Sequence, residues 1–227
     1  MYNGVGDDMK LKVIADDFGI TKGINYAIYD ACKNGIVTSV ALLMNTKYTS
    51  HGYELIRDID VSIGLALNVT YGKALYSEAL MEYGFLKPEH DYPKVIKDLE
   101  LEFEAQIRKA LEMDIEIAHL STYENIHYKY KEVRNLLLKL GEKYSIPVRD
   151  EQVCSHQFSG QLANMDTLFY LFKQNIDYFE MAVRPGYLDG HLINISEYRE
   201  MRMVEHSIIT SDYVKQLIHN ENIELVK

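Results

Sequence analysis

Two adjacent carboxylates, Asp16 and Asp17, close a short apolar run from Lys10 to Ala15 and open the segment Asp16-Asp17-Phe18-Gly19. Neighbouring side chains leave an extended chain on opposite sides. One carboxylate of such a pair can hold a divalent cation while the other accepts a proton from water. The same pair reads as an Asx turn, in which one aspartate caps the following helix or its approach turn and the other is solvated. Farther along, His119 and His127 bracket a polar loop with Glu124 between them. Imidazole and carboxylate at the mouth of one strand suit a metal ligand set, while a hydrogen-bonded structural histidine is the plainer reading. Arg149 beside Asp150, and Arg184 ahead of Pro185-Gly186, place guanidinium groups where an anionic or hydroxyl-rich ligand could be clamped. Arg184 would serve equally in a chain turn, paired to a local acid.

These residues share a position relative to the elements that must carry them. Lys10–Ala15, Ile36–Met44, Val61–Val69, Ile115–Leu120, Ile146–Arg149 and Tyr178–Val183 read as buried strands, and Asn222–Val226 as a possible last one. Apolar residues at helical spacing follow Thr21 and occupy Tyr48–Ile59, Lys94–Met113, Val133–Gly141, Asp166–Gln174 and Tyr198–Ile209. A further helix follows Ser211 or Asp212 as its cap. Strand after helix after strand implies a parallel sheet covered by helices. Asp16 and Asp17, Asn68, the His119–His127 loop, Arg149 and Arg184 all fall just beyond strand C-termini, where ligands sit in parallel α/β folds. Residues 71–93 break the rhythm with aromatics, Gly72, Gly84, Pro88 and Pro93, and read as an excursion over that cleft, with a short helix near Ser77–Tyr83.

The chain has 227 residues, which fits one large domain, 1–227, with residues 1–9 as a frayed leader. A formal charge of −10 would repel a phosphate backbone over most of the surface, so nucleic acid is not expected as a partner. No apolar run reaches membrane-spanning length, and the N-terminus lacks the basic start and apolar core of a signal peptide. Two cysteines, Cys32 and Cys154, are too few for a disulfide framework. A reduced, cytoplasmic setting follows. The 18 tyrosines, with no tryptophan, suit stacking on sugar rings as well as ordinary core and rim packing.

Six ordered segments stand out along the chain: I-A-D-D-F-G (14–19), T-S-V-A-L-L-M-N (38–45), I-G-L-A-L-N-V-T-Y-G-K (63–73), A-H-L-S-T-Y-E-N-I-H (118–127), I-P-V-R (146–149) and R-P-G-Y-L-D (184–189). Together they resemble the YdjC-like carbohydrate deacetylases, which include chitooligosaccharide deacetylases. The tail S-E-Y-R-E-M-R, followed by I-I-T-S-D-Y-V-K, is also family-like, and the match spans about Leu11 to Val226. The resemblance implies an α/β fold, a distorted (β/α) TIM-like barrel, and removal of N-acetyl groups from sugars or oligosaccharides with a divalent metal, magnesium or zinc. It makes Asp16 the general base and Asp17 a metal ligand, with His119, His127 and Glu124 as partners in reserve. Asn68, Tyr123, Arg149, Arg184 and Tyr187 become candidates for contacting substrate, and a homodimer is implied by analogy.

The departures fall on that machinery. The family's G-L-H-L-N has become Gly64-Leu65-Ala66-Leu67-Asn68, and its H-x-D-S-H-x-H-x-H run carries Ser121, Tyr123 and Asn125 in place of an aspartate and two histidines. Its H-P-G has become Arg184-Pro185-Gly186. Alanine cannot coordinate, and a phenol is a poor stand-in for imidazole with magnesium or zinc. The expectation is a deacetylase whose activity is reduced or lost, with metal either recruited by other residues or not used. The alternatives are a non-catalytic homologue that binds a carbohydrate or a protein, and a metal-free glycosidase pairing Asp16 or Asp17 with Asp150, Glu151 or Glu124.

Overall fold

The structure, a computed structural model, describes residues 9–149, 155–174 and 176–227. In chain order the elements are β1 (Lys10–Phe18), α1 (Lys22–Asn34), β2 (Ser39–Leu42), α2 (Thr49–Ile56), β3 (Ser62–Leu67), β4 (Met81–Glu82), β5 (Phe85–Leu86) and α3 (Tyr92–Glu112). They continue with β6 (Ile117–Thr122), α4 (Ile126–Lys129), α5 (Lys131–Tyr144), β7 (Ser155–Phe158), α6 (Met165–Phe172), β8 (Tyr178–Val183), α7 (Gly190–Ile195), α8 (Arg199–Ile209), α9 (Asp212–Asn220) and β9 (Glu224–Leu225).

The main sheet is parallel, in the order β6-β3-β2-β1-β8-β7, with β9 joining β1 below the start of β2. Beyond β6, Leu120 and Val148 form one further parallel bridge, so the expected strand at 146–149 is reduced to a single pairing. In a flat sheet Val148 would lie four strand spacings, about 19 Å, from β1. Yet Arg149 reaches both Asp16 on β1, at 3.2 Å, and Glu180 on β8, at 3.4 Å. One side chain can make those contacts only because the sheet curls around on itself, as in a barrel.

The core follows from the apolar runs. Leu11, Val13, Ala15, Val40, Leu42, Leu65, Leu67 and Leu120 are buried, and the stripe Leu99, Phe103, Ile107 and Ala110 seats α3 against them. Thr21 caps α1 by accepting a hydrogen bond from the Ile24 N–H at 3.1 Å, so neither aspartate is needed as that cap. Ser211 caps α9 in the same way.

Three expectations need correction. β1 does not stop at Ala15; it runs to Phe18 through a bulge, with Ala15 opposite Val40 and Phe18 opposite Leu42. The extra residue carries Asp17 into the left-handed region at φ 68°, and a bulge of this kind re-aims a side chain beside a cleft. Residues 71–93 form an excursion whose short helix is a 3-10 helix at Glu78–Leu80, but it continues into the β4–β5 hairpin, which was not expected. Tyr83 and Gly84 both have positive φ, the geometry of a type I′ turn. Of the expected leader, residues 1–8 lie outside the described residues, while Met9 is buried and its carbonyl accepts a hydrogen bond from the Glu224 N–H. β7 was not expected: Ser155-His156-Gln157-Phe158 has no apolar alternation and is a strand only through its pairing with β8. Among the described residues no helix is long and apolar enough to cross a membrane.

Candidate functional site

Polar side chains gather around the C-terminal half of β1 in two groups, one facing into the curled sheet and one at its mouth. The adjacent aspartates separate them. In the inner group Asp16 pairs with Arg149, which is buried and also approaches Glu180. Lys12 lies close enough to feel the charges of Glu180 and Arg149, and burial lowers its pKa. His119 completes this group, with its ring packed against the bare backbone of Gly64, where a Cβ would meet ring atoms at 2.2 Å. Both His119 ring nitrogens are buried and lack a hydrogen-bond partner among the described residues. Burial, and then the positive charges of Lys12 and Arg149, push its pKa down to about 3.

At the mouth, Asp17 receives a hydrogen bond from Arg202 Nη2 at 2.6 Å, and Arg184 Nε stands 4.0 Å from the same oxygen. Burial opposes ionisation of Asp17, but Arg202 and then Arg184 outweigh it and hold the carboxyl below its usual range. Arg202 also donates from Nη1 to the Arg184 carbonyl, and the Gly186 N–H donates to the Arg202 carbonyl, so α8 is tied to the loop after β8. The Arg184 N–H donates to Glu205, one turn along α8. Burial raises the Glu205 pKa to about 8, against the pull of that hydrogen bond and of both arginines. The Tyr123 phenol, beside Asp17, is pushed well above its ordinary value, first by burial and then by the Asp17 charge.

Other candidates have different surroundings. Asn68 is fully buried and spends its side chain on Asn45, on the Tyr71 carbonyl and on the N–H groups of Thr70 and Tyr71. It shapes the start of the excursion, which Glu102 anchors by accepting from the N–H groups of Leu75, Tyr76 and Ser77. His127 is buried with Nδ1 at 2.6 Å from the Thr122 hydroxyl. Glu124 sits at φ 57°, accepts from the Thr70 hydroxyl and lines a cavity of about 220 Å³ with Asp17, Tyr123, Arg184 and Arg202. The Tyr187 hydroxyl donates to Asp30 and lies 3.2 Å from His206, binding its loop to α1 and α8 rather than facing Asp17. Asp150 and Glu151 lie outside the described residues.

Two further cavities flank this mouth. One, of about 420 Å³, opens beside Arg184, Arg202 and Glu205; the other, of about 500 Å³, is walled by Tyr48, Tyr71, Phe85 and His191. Aromatic walls next to a polar centre are the surface a saccharide stacks on. Sequence reasoning passed over Arg202 and Glu205, although the signal was present: the inward positions of α8, at 202, 205, 206 and 209, are mostly polar, so a charged cluster must sit beneath it.

The YdjC-like protein family profile matches residues 10–220 of this chain. The chain belongs to the YdjC-like family. A carbohydrate deacetylase of Clostridium beijerinckii is 30% identical, the alignment covering 96% of this chain and 98% of that one. One of Brevibacillus brevis is 28% identical, with the same coverage. A crystal structure from Enterococcus faecalis, of a protein provisionally described as a cellobiose-phosphate cleavage protein, superposes with a TM-score of 0.87. It is 25% identical and covers 97% of this chain and 98% of its own. The family match includes β1 with Asp16 and Asp17.

The fit of a divalent cation to this YdjC-like site can be tested on the residues present. Asp17 already shares its charge with two guanidinium groups. Ala66, buried on β3, has no donor atom. Tyr123 is held as a neutral phenol. Among the described residues, no three His, Cys, Asp or Glu side chains are grouped to hold a metal.

The Glu205 carboxyl makes a pH prediction. Between pH 4.5, its ordinary value, and about 8 the folded chain keeps a proton that the unfolded chain has released, so stability falls as pH rises through that window. Glu205→Gln is neutral throughout and its carbonyl can still accept from Arg184. Above pH 8 the variant is expected to be more stable than wild type by about 2 kcal/mol or more, at ~1.4 kcal/mol per pH unit. That gap should close towards pH 4.5. Denaturant unfolding at several pH values checks it, and parallel curves would show that Glu205 is ionised in the folded protein.

Proposed function

We propose that this YdjC-like chain binds a carbohydrate in the cleft around Asp17 without the family's metal, and that its metal-dependent deacetylase activity is reduced or lost. The observation that carries this reading is the Arg202–Asp17 hydrogen bond of 2.6 Å, with Arg184 at 4.0 Å from the same oxygen. A carboxylate neutralised in this way is a weak metal ligand, because a cation must displace a charge-assisted bond and also face two positive groups. Ala66 and the neutral Tyr123 add no compensating donor. The residues present therefore do not fit a three-ligand divalent-cation centre, and no hydrolytic step is derived through one. Asp16 is engaged in an ion pair with Arg149. The aromatic cavity of Tyr48, Tyr71 and Phe85 supports a saccharide as the ligand.

The test is elemental analysis of the protein purified from cells supplied with magnesium, manganese and zinc, alongside calorimetry with N-acetylated chitooligosaccharides in the presence of chelator. Saccharide binding that survives chelation, with metal well below one equivalent, is expected. About one equivalent of metal together with acetate release would overturn the proposal. A gain-of-ligand variant, Ala66→His with Tyr123→His, is expected to raise metal affinity at least about tenfold by restoring two donors. Unchanged metal content in that variant would place the site elsewhere.

A further inference from the structure

α8 is inverted relative to α3. Its buried residues are Arg202, Glu205, His206 and Ile209, whereas Met201, Met203 and Val204 are exposed. α3 seats itself instead through the buried apolar stripe of Leu99, Phe103, Ile107 and Ala110. Polar contacts therefore fasten α8. Arg202 Nη2 donates to Asp17 at 2.6 Å, Glu205 accepts from the Arg184 N–H, and His206 Nε2 lies 2.9 Å from Asp30 Oδ2. Arg202 also donates from Nη1 to the Arg184 carbonyl, and its own carbonyl accepts from the Gly186 N–H. Asp30 is itself positioned by Asn34, one turn along α1, and by the Tyr187 hydroxyl. The two ends of α8 differ. The Ile209 side chain is fully buried and its carbonyl accepts from the Ile36 N–H. At Tyr198 no side chain caps the first turn, and the residue is exposed.

We infer that α8 is a lid over the Asp17 centre, hinged at Ile209 and fastened through Arg202, Glu205 and His206, which undocks as one unit. Undocking trades these polar contacts for water, which returns the desolvation cost of each charged group. Met201, Met203 and Val204 lose nothing, being in water already. Detaching α3 would instead expose its apolar stripe, at a cost proportional to that area. An element held with so little apolar burial belongs to the least stable part of a fold, the part from which lids are drawn. The consequence for the cleft is direct. Arg202 leaves Asp17, and Tyr198 and Arg202 leave the wall between the cavities of about 420 and 220 Å³, both of which they line together with Arg184. The closed lid keeps Asp17 buried, and the open one gives solvent and ligand access to it. This device does not depend on what the cleft binds.

Native-state hydrogen exchange of the ligand-free protein tests it, because a helix of 11 residues is marginal alone in water and loses its hydrogen bonds once undocked. The α8 amides are expected to exchange as a single set, at least about a hundredfold faster than those of α3 and with a weaker dependence on denaturant. Asp30→Ala removes a fastening from the α1 side, where alanine keeps the helix, and Asp30 lines none of the three cavities at the mouth. It is expected to speed the whole α8 set about tenfold, Met203 at the far end included. Carbodiimide labelling of Asp17, read by mass spectrometry, should rise by the same factor. Rates in α8 that match those in α3 would overturn the lid, since the helix would then leave only on global unfolding. Rates graded inward from Tyr198 and unchanged by Asp30→Ala would overturn it too, leaving ordinary fraying. So would an Asp17 that stays unlabelled while α8 exchanges. If Asp30→Ala does not fold, Tyr187→Phe, which removes one donor to Asp30, takes its place, and the wild-type exchange pattern decides the matter alone.

Discussion

His119→Leu is expected to remove a loss of stability of roughly 4–5 kcal/mol that wild type suffers as pH falls from 6.5 to about 3. In the folded protein the imidazole stays neutral down to about pH 3, whereas in the unfolded chain it takes up a proton near its ordinary value of 6.5. Between those limits the unfolded state binds more protons, so stability is complete above 6.5 and declines as pH falls towards the folded value. Leucine has nothing to titrate. It also removes two buried nitrogens that lack partners among the described residues, so the variant should be no less stable than wild type at neutral pH. The comparison is cleanest above pH 4.5, where the carboxylates of lowered pKa, among them Asp17 and Asp189, remain ionised in both proteins. Urea unfolding of the two proteins across this range is the measurement. A wild-type-minus-variant difference that does not change with pH would mean that His119 accepts its proton in the folded state, and that the inner group is less closed than its packing against Gly64 implies.

Arg202→Met is expected to cost about 3–5 kcal/mol at neutral pH, because it leaves the Asp17 carboxylate buried without its hydrogen-bonded partner. Arg184, at 4.0 Å, moderates the loss without replacing the bond. The lost Nη1 bond to the Arg184 carbonyl should also loosen the loop after β8. The double variant Asp17→Asn with Arg202→Met should recover a large part of the stability, since the uncompensated charge is gone. Asp17 has a depressed folded pKa, so its contribution to wild type is present above the unfolded value of 3.8 and is lost as pH falls below it. The gap between wild type and Arg202→Met should therefore narrow in acid. A single-variant cost under about 1 kcal/mol would contradict a buried ion pair and match a solvated one. It would also weaken the case against a metal at Asp17, since a loosely held arginine is easily displaced.

Much of the fold was legible because its signals are local. The strand Tyr178–Val183 and the helices around Lys94–Met113 and Tyr198–Ile209 follow from apolar runs and apolar stripes, and they occur within a residue or two of where the pattern puts them. β7 was not legible, because a strand whose stability comes from a neighbour need not alternate. Nor was the β4–β5 hairpin, whose Tyr83-Gly84 turn is weaker punctuation than Asn-Gly.

The sequence by itself determined the parallel α/β plan, the clustering of polar residues beyond strand ends, and membership of a family whose segments run along nearly the whole chain. By resemblance it also marked Ala66, Tyr123 and Arg184 as departures from the family's pattern. Only the tertiary structure decided what surrounds Asp16 and Asp17. Arg202, 185 residues from Asp17 along the chain, lies against it, and Arg149 crosses the curled sheet to Asp16. A charge pair of that kind leaves no local pattern, because which arginine meets which aspartate depends on the curl of the sheet and on how α8 packs across its mouth. The same holds for Lys12, His119 and Glu180. Each stands between apolar neighbours in its strand, and the physical reason for it appears once curling gives the sheet an inside.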